Sequence, residues 1–278
     1  MADLKPMELG EILDGALTMY RRHFGVLLRL AVLALWLPVS LNIYLQLTGG
    51  PLQHTVLYFL TALLQYFAGL FHTAGAIRII SDSYLGRPAT IGPAIALGMS
   101  KILPLFGVAL GKSILLGLIM GLVGVIAAVS IPAGAAGGSG VAVLLALIFA
   151  GLGIWLFIFV ACGYAVTSQI VVLEPLDGAF DSFGRSWELT RGLKSKVAGV
   201  AFVAGLIFFV PTAALGGYAG ILQQTNALWG QILSAGLALL PIVLSPILAC
   251  VFTILYYDLR IRREGFDLQV LGQSLGLT

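Results

Sequence analysis

The chain is 278 residues long, 59% hydrophobic and only 10% charged, with a formal net charge of +3 and a mean hydropathy of +1.04. Soluble domains carry about a quarter charged residues, so there are too few charges here to coat a water-facing surface, and a bilayer-embedded protein is the class that remains. The small net charge argues against a nucleic-acid partner, and Cys162 and Cys250, each inside an apolar run without metal-ligand or disulfide spacing, read as small buried hydrophobes.

Residues 1–23 include Asp3, Glu8, Glu11 and Asp14 and hold no apolar run before Phe24, so they do not read as a cleavable signal. Leu9, Ile12, Leu13, Ala16, Leu17 and Tyr20 fall at helical spacing opposite Glu8, Glu11, Asp14, Arg21 and Arg22. That pattern predicts an amphipathic helix with its acids early and its bases late, as the helix dipole prefers. Apolar runs long enough to cross a bilayer, each of roughly twenty residues or more, follow at about 25–47, 55–79, 104–130, 141–170, 197–219 and 230–257. Before the third run, Ile91, Ile95, Met99 and Ile102 make a looser amphipathic stripe. Before the fifth, "LDGAFDSFGRSW" (176–187) repeats the phrase "LDGALTMYRRHF" (13–24), with Leu176, Ala179, Phe180, Phe183 and Trp187 set against Asp177, Asp181, Arg185 and Glu188. The sixth run contains "LLPIVLSPIL", where Pro241 and Pro246 each remove a backbone donor, predicting a kink or an unwound turn.

The connecting segments 48–54, 131–140 and 220–229 contain no Asp, Glu, Lys or Arg. All 15 Lys and Arg lie toward the other side, in the N-terminal segment, around the 80–103 and 171–196 loops, and in the tail. Orientation follows the basic residues, so both termini are expected in the cytoplasm, in agreement with an even number of spans. The expected fold is an all-α integral membrane protein of six transmembrane helices as three hairpins, each preceded by a cytoplasmic amphipathic interfacial helix. The chain then divides into one membrane domain of tandem units 1–79, 80–170 and 171–257, with a cytoplasmic tail at 258–278.

"MELGEILDGALTMYRRHFGVLL", "EPLDGAFDSFGRSWELTRG" and "LYYDLRIRREGFDLQVL" resemble segments of a bacterial family of multi-span proteins, the glycerophosphoryl diester phosphodiesterase membrane-domain family. The resemblance covers nearly the whole chain. It implies an all-helical protein of the bacterial inner membrane without a known activity of its own. The catalytic partner that gives the family its label would be a barrel of about 250 residues, for which this chain has no room.

No catalytic or metal motif accompanies these elements. His23, His54 and His72 share no ligand spacing, and no nucleophile elbow or phosphate loop is present. The chain is therefore read as non-enzymatic, with no cofactor. Glu174 and Asp258, at span ends, read as ordinary interfacial acids. Arg21, Arg22, Arg185, Arg191, Lys194, Lys196, Arg260, Arg262 and Arg263 are expected to form a belt at headgroup level, contacting anionic lipids or a partner protein, with the interleaved Asp14, Asp177, Asp181, Glu188, Asp258 and Glu264 pairing with them into one polar layer. Among the polar residues inside spans, Arg29, Arg78 and Gln169 lie near enough to the interface to snorkel. Lys112 either stretches to the interface or faces a cavity. The functional expectation is a membrane scaffold or accessory subunit, homo- or hetero-oligomeric, that organises lipids or partners. The alternatives are a transporter or channel for an amphiphile or small solute, built on Lys112 and the kink at Pro241 and Pro246, and a module serving a separate phosphodiester hydrolase.

Overall fold

A computed structural model describes residues 6–48, 53–135 and 140–266. The predicted turn tips at 49–52 and 136–139, and the tail beyond Phe266, lie outside the described residues. Those residues form helices and connecting turns without a strand: α1 (Leu9–Arg22), α2 (Phe24–Leu47), α3 (Thr55–Tyr84), α4 (Ile91–Ala135), α5 (Gly140–Gly163), α6 (Thr167–Leu173), α7 (Asp181–Thr190), α8 (Lys194–Thr225), α9 (Ala227–Leu237) and α10 (Leu240–Glu264). Six stretches are long and apolar enough to span a membrane, at Phe24–Leu47, Thr55–Tyr84, Ile91–Ala128, Val143–Leu173, Lys194–Thr225 and Ala227–Glu264. The fourth joins α5 to α6, and the sixth joins α9 to α10.

The N-terminal helix starts on a reciprocal cap in which the Glu11 carboxylate accepts the Glu8 N–H at 2.7 Å. Such a cap satisfies donors that a helix start otherwise leaves open. Ile12 and Ala16 on its inner face are fully buried against the core, while Asp14, Arg21 and Arg22 stay exposed. His23 separates α1 from α2 and shares a 2.5 Å hydrogen bond between its Nε2 and Ser83 Oγ at the end of α3. Burial, and then the charge of Arg22, hold the His23 pKa below the ordinary imidazole value. The unfolded chain therefore takes up the proton more readily, and stability present above the ordinary value is lost as pH falls through the lowered one. The melting midpoint of the wild type is expected to drop more than that of His23→Asn when pH goes from about 7.5 to about 5.5. Parallel shifts in the two proteins would show that His23 carries none of the pH dependence.

The core centres on the last turns of α10, where Ile254, Leu255, Tyr256, Tyr257 and Leu259 are buried together with Ile12, Leu27, Leu30 and Ile80. A helix buried on every side needs neighbours all round, and α1, α2, α3, α7 and α8 supply them. At Gly75 α3 packs closely on α2 and α4, since a Cβ there would stand 2.8 Å from the Leu30 side chain and 3.2 Å from the Ala94 carbonyl. The far part of α4 and the start of α5 are the opposite case. Leu118, Leu122, Val125, Leu147, Phe149 and Trp155 all remain exposed, as helices facing acyl chains do.

The local boundaries differ from the sequence reading in three places. The stripe at 90–106 is not a separate surface helix: α4 runs unbroken through Pro104 for 45 residues, about 68 Å, against a hydrocarbon core of about 30 Å. The second copy of the repeated phrase is only partly helical. Pro175 holds Glu174 in an extended conformation (φ −103°, ψ 145°), as the residue before a proline prefers, and the Gly178 N–H then bonds Asp181 Oδ2 at 2.8 Å. Leu176 and Ala179 consequently lie in a turn, and α7 begins at Asp181, whereas Leu13 and Ala16 lie inside α1. Finally, the fourth span breaks after Gly163. The Gly163 carbonyl is taken up by the hydroxyls of Ser186 (2.8 Å) and Thr190 (3.3 Å) on α7. Without a Cβ at Gly163, the Trp187 ring packs directly onto the break.

Candidate functional site: a cavity beneath a charged layer

The charged end of the bundle is an ion-pair network around two acids. Asp258 is fully buried and accepts from Lys196 Nζ at 2.5 Å, from Arg262 Nε at 3.2 Å and from the Met7 N–H at 2.7 Å. The Met7 carbonyl in turn accepts from Lys196 and, at 2.7 Å, from Arg262. Two cations and the segment leading into α1 are thus tied to one carboxylate. Glu174 accepts from Arg185 Nε at 3.0 Å and from the Tyr256 hydroxyl at 2.8 Å. Arg185 also pairs with Glu264, which accepts from Arg260 Nε at 3.0 Å. Burial alone would lower the Arg185 pKa, but the hydrogen bonds and charges of Glu174 and Glu264 outweigh it and raise the value.

The predicted headgroup belt divides between cations paired with the interleaved acids and cations left exposed. Arg185, Lys196, Arg260 and Arg262 are engaged with acids inside the protein. Lys194 is turned inward, its Nζ 3.3 Å from the Phe159 ring centroid and 3.2 Å from that of Trp187, with no hydrogen-bond partner. That is a desolvated cation–π arrangement. Arg21, Arg22, Arg191 and Arg263 remain exposed and without an ion pair among the described residues.

Below this layer lies a cavity of about 760 Å³ between α3, α4, α5, α6, α8 and α10. Its walls are mostly apolar: Phe157, Ile158, Ala161 and Cys162 from α5, Ala198 and Phe202 from α8, Leu248 and Phe252 from α10. Set into them are His72 from α3, Lys112 from α4, Ser168 and Gln169 from α6, and Ser245 from α10. Along α10, Ser245 is about 20 Å from Asp258 at the helical rise, so the cavity reaches well below the charged layer. No carboxylate of the described residues lines it. Lys112 has neither an ion pair nor a hydrogen bond among the described residues. His72 Nε2, Gln169 Oε1 and Ser245 Oγ are buried without partners, His72 and Gln169 being only 3% and 4% exposed. Buried polar groups are normally satisfied, and these three unsatisfied ones, from α3, α6 and α10, line one space. Lys194 lies one helical turn from Ala198, and its Nζ sits over Phe159, next to Ile158 of the cavity wall.

Of the two places open to Lys112, the structure gives it the cavity wall. Gln169 lines the same wall and is buried, so it does not snorkel. The kinked sixth span divides at Ala238–Leu239, with Pro241 in the first turn of α10 and Pro246 buried inside it next to Ser245. Ser168 and Ser245 carried no signal of their own. Asp258 is a fully buried hub and Glu174 a partly buried one, where interfacial acids were expected. The i, i+4 pair Asp258/Arg262 beside the apolar "TILYY" was the one local hint of that burial. No known protein family, curated protein or solved structure matches this chain.

Proposed function

We propose that this protein binds an anionic amphiphile, one hydrocarbon chain with a phosphate or carboxylate head, in the cavity at Lys112. The observation that carries the reading is Lys112 itself, a cation without a counter-ion among the described residues, set among buried unpaired polar groups in a mostly apolar chamber. Intramembrane cations are costly and mark ligand paths, and a pocket of this volume with few polar groups suits a small apolar ligand with one polar end. Ile158 on α5 and Phe202 on α8 line the cavity and are also exposed, so in a bilayer an acyl chain has a lateral way in between these helices.

In this reading the six spans form three hairpins, with α1 and α7 as interfacial helices. The charged layer faces the cytoplasm of a bacterial inner membrane, as the basic residues favour. The exposed Arg21, Arg22, Arg191 and Arg263 then sit at headgroup level, where each contributes on the order of 1 kcal/mol of attraction to anionic lipid. They are also what supports the scaffold reading, in which the same groups dock a partner protein. Service to a separate phosphodiester hydrolase, the role suggested by the family resemblance, is a special case of the same activity: a lipid held at Lys112 and presented at the charged face.

Cys162 in the cavity wall provides a direct test, because Cys250 is fully buried away from it. In lipid nanodiscs, lysophosphatidate is expected to protect Cys162 from an N-alkyl maleimide at concentrations where lysophosphatidylcholine does not. Equal protection by the two would remove the role given to the cation.

A further inference from the structure

A second, smaller cavity of about 350 Å³ lies farther from the charged layer, at the break between α9 and α10. It is lined by Asn42 of α2, Tyr58, Thr61 and Gln65 of α3, and Ala238 and Pro241 at the break. Thr61 is only 2% exposed, and its hydroxyl has no hydrogen-bond partner. Asn42 Oδ1 accepts from Gln46 Nε2 at 2.6 Å, which leaves the Asn42 amide hydrogens for the cavity. The two cavities share two walls. Thr61, Gln65 and His72 fall on one face of α3, since intervals of four and seven residues bring side chains back to the same side of a helix. Pro241 and Ser245 stand one turn apart on α10. Only about 10 Å along α3, and about 6 Å along α10, separates polar groups of the outer cavity from those of the Lys112 cavity. His72 Nε2 and Ser245 Oγ, the Lys112-cavity groups on those two helices, are buried and unpartnered.

We propose that the outer cavity is the far station of a single route beginning at Lys112, so that the protein moves the headgroup of its amphiphile across the membrane while the chain stays in lipid. This rests on the binding reading above and extends it from holding to translocation. The two stations differ in the way a route requires. A headgroup held at Lys112 meets a fixed charge; in the outer cavity it meets the uncharged hydrogen-bonding groups of Asn42, Tyr58, Thr61 and Gln65. A site without a fixed counter-charge receives the headgroup and lets it go, the balance that permeation demands. The outer cavity has less than half the volume of the inner one, space for a head and not for a chain. A span interrupted at the polar site is the construction found where membrane helices line a substrate path.

The experiment uses the full chain in proteoliposomes with a lysophosphatidate carrying NBD at its chain end, followed by dithionite accessibility, alongside the Cys162 protection assay. Wild-type protein is expected to exchange the lipid between leaflets faster than empty vesicles. Thr61→Leu and Gln65→Leu, which fill the outer cavity, are expected to bring exchange down to the empty-vesicle level while Cys162 protection is unchanged. Thr61→Ser, which keeps the hydroxyl, retains exchange and guards against a folding artefact. Protection of Cys162 without any exchange by the wild type, or full exchange by both leucine variants, overturns the route and leaves the binding reading standing. Absence of protection in the wild type overturns both.

Discussion

Replacing Lys112 by Gln is expected to weaken binding of an anionic amphiphile about thirtyfold or more, while Lys112→Arg stays within a few-fold of wild type. Removing one member of a desolvated charge pair costs about 2–5 kcal/mol, and each 1.4 kcal/mol is about tenfold in affinity. The distinguishing feature is the sign of the stability change. A cation at membrane depth costs about 2.5–3.5 kcal/mol on insertion scales, and no carboxylate of the described residues offsets that cost at Lys112. Lys112→Gln should therefore melt at or above the wild-type temperature even as binding is lost. A variant that lost binding and stability together would mark Lys112 as a structural residue. Isothermal titration in nanodiscs and thermal melting by tryptophan fluorescence read the two quantities separately.

Asp258→Ala is expected to have the largest effect on the fold, about 3–5 kcal/mol, the usual consequence of leaving a buried pair with one charge unmatched. Lys196 is 14% exposed at its side chain and would lose its acid, and the Met7 N–H would lose its acceptor. The N-terminal segment is held by Asp258, Lys196 and Arg262 at one point. Limited proteolysis within residues 1–23 should therefore accelerate before the rest of the chain is cut. Asp258→Ala combined with Lys196→Met should recover part of the loss, since replacing both members of a buried pair is far less costly than replacing one. If Asp258→Ala melted like the wild type, with α1 equally resistant, the network would not be holding the charged end together.

How much of this was legible from the residues alone follows from the range of the forces involved. The apolar runs were plain because transfer of a helix into hydrocarbon depends on its own composition. The predicted 25–47 and the observed Phe24–Leu47 differ by one residue. The repeated "LDGA" shows the limit of local text: Pro175 precedes the second copy where Ile12 precedes the first, and Asp181 stands where the first has Thr18. Those two differences turn a helix interior into a turn. An acid one turn beyond an apolar run looks the same whether water or other helices surround it, so Asp258 and Glu174 were hidden until α1, α7 and α8 packed over them. Lys112 stood out in the sequence because a lone charge in a span is rare. His72, Gln169 and Ser245 sit on three other helices at no fixed interval, so only the tertiary fold puts them into one chamber.

The central claim is that the Lys112 cavity holds one anionic amphiphile. It is tested most directly by native mass spectrometry of protein released from its own membrane in mild detergent, with wild type and Lys112→Gln compared side by side. The wild-type chain is expected to carry a single bound lipid of anionic class that the variant has lost. An equal complement of lipids on both chains, or only zwitterionic lipid on the wild type, would contradict it.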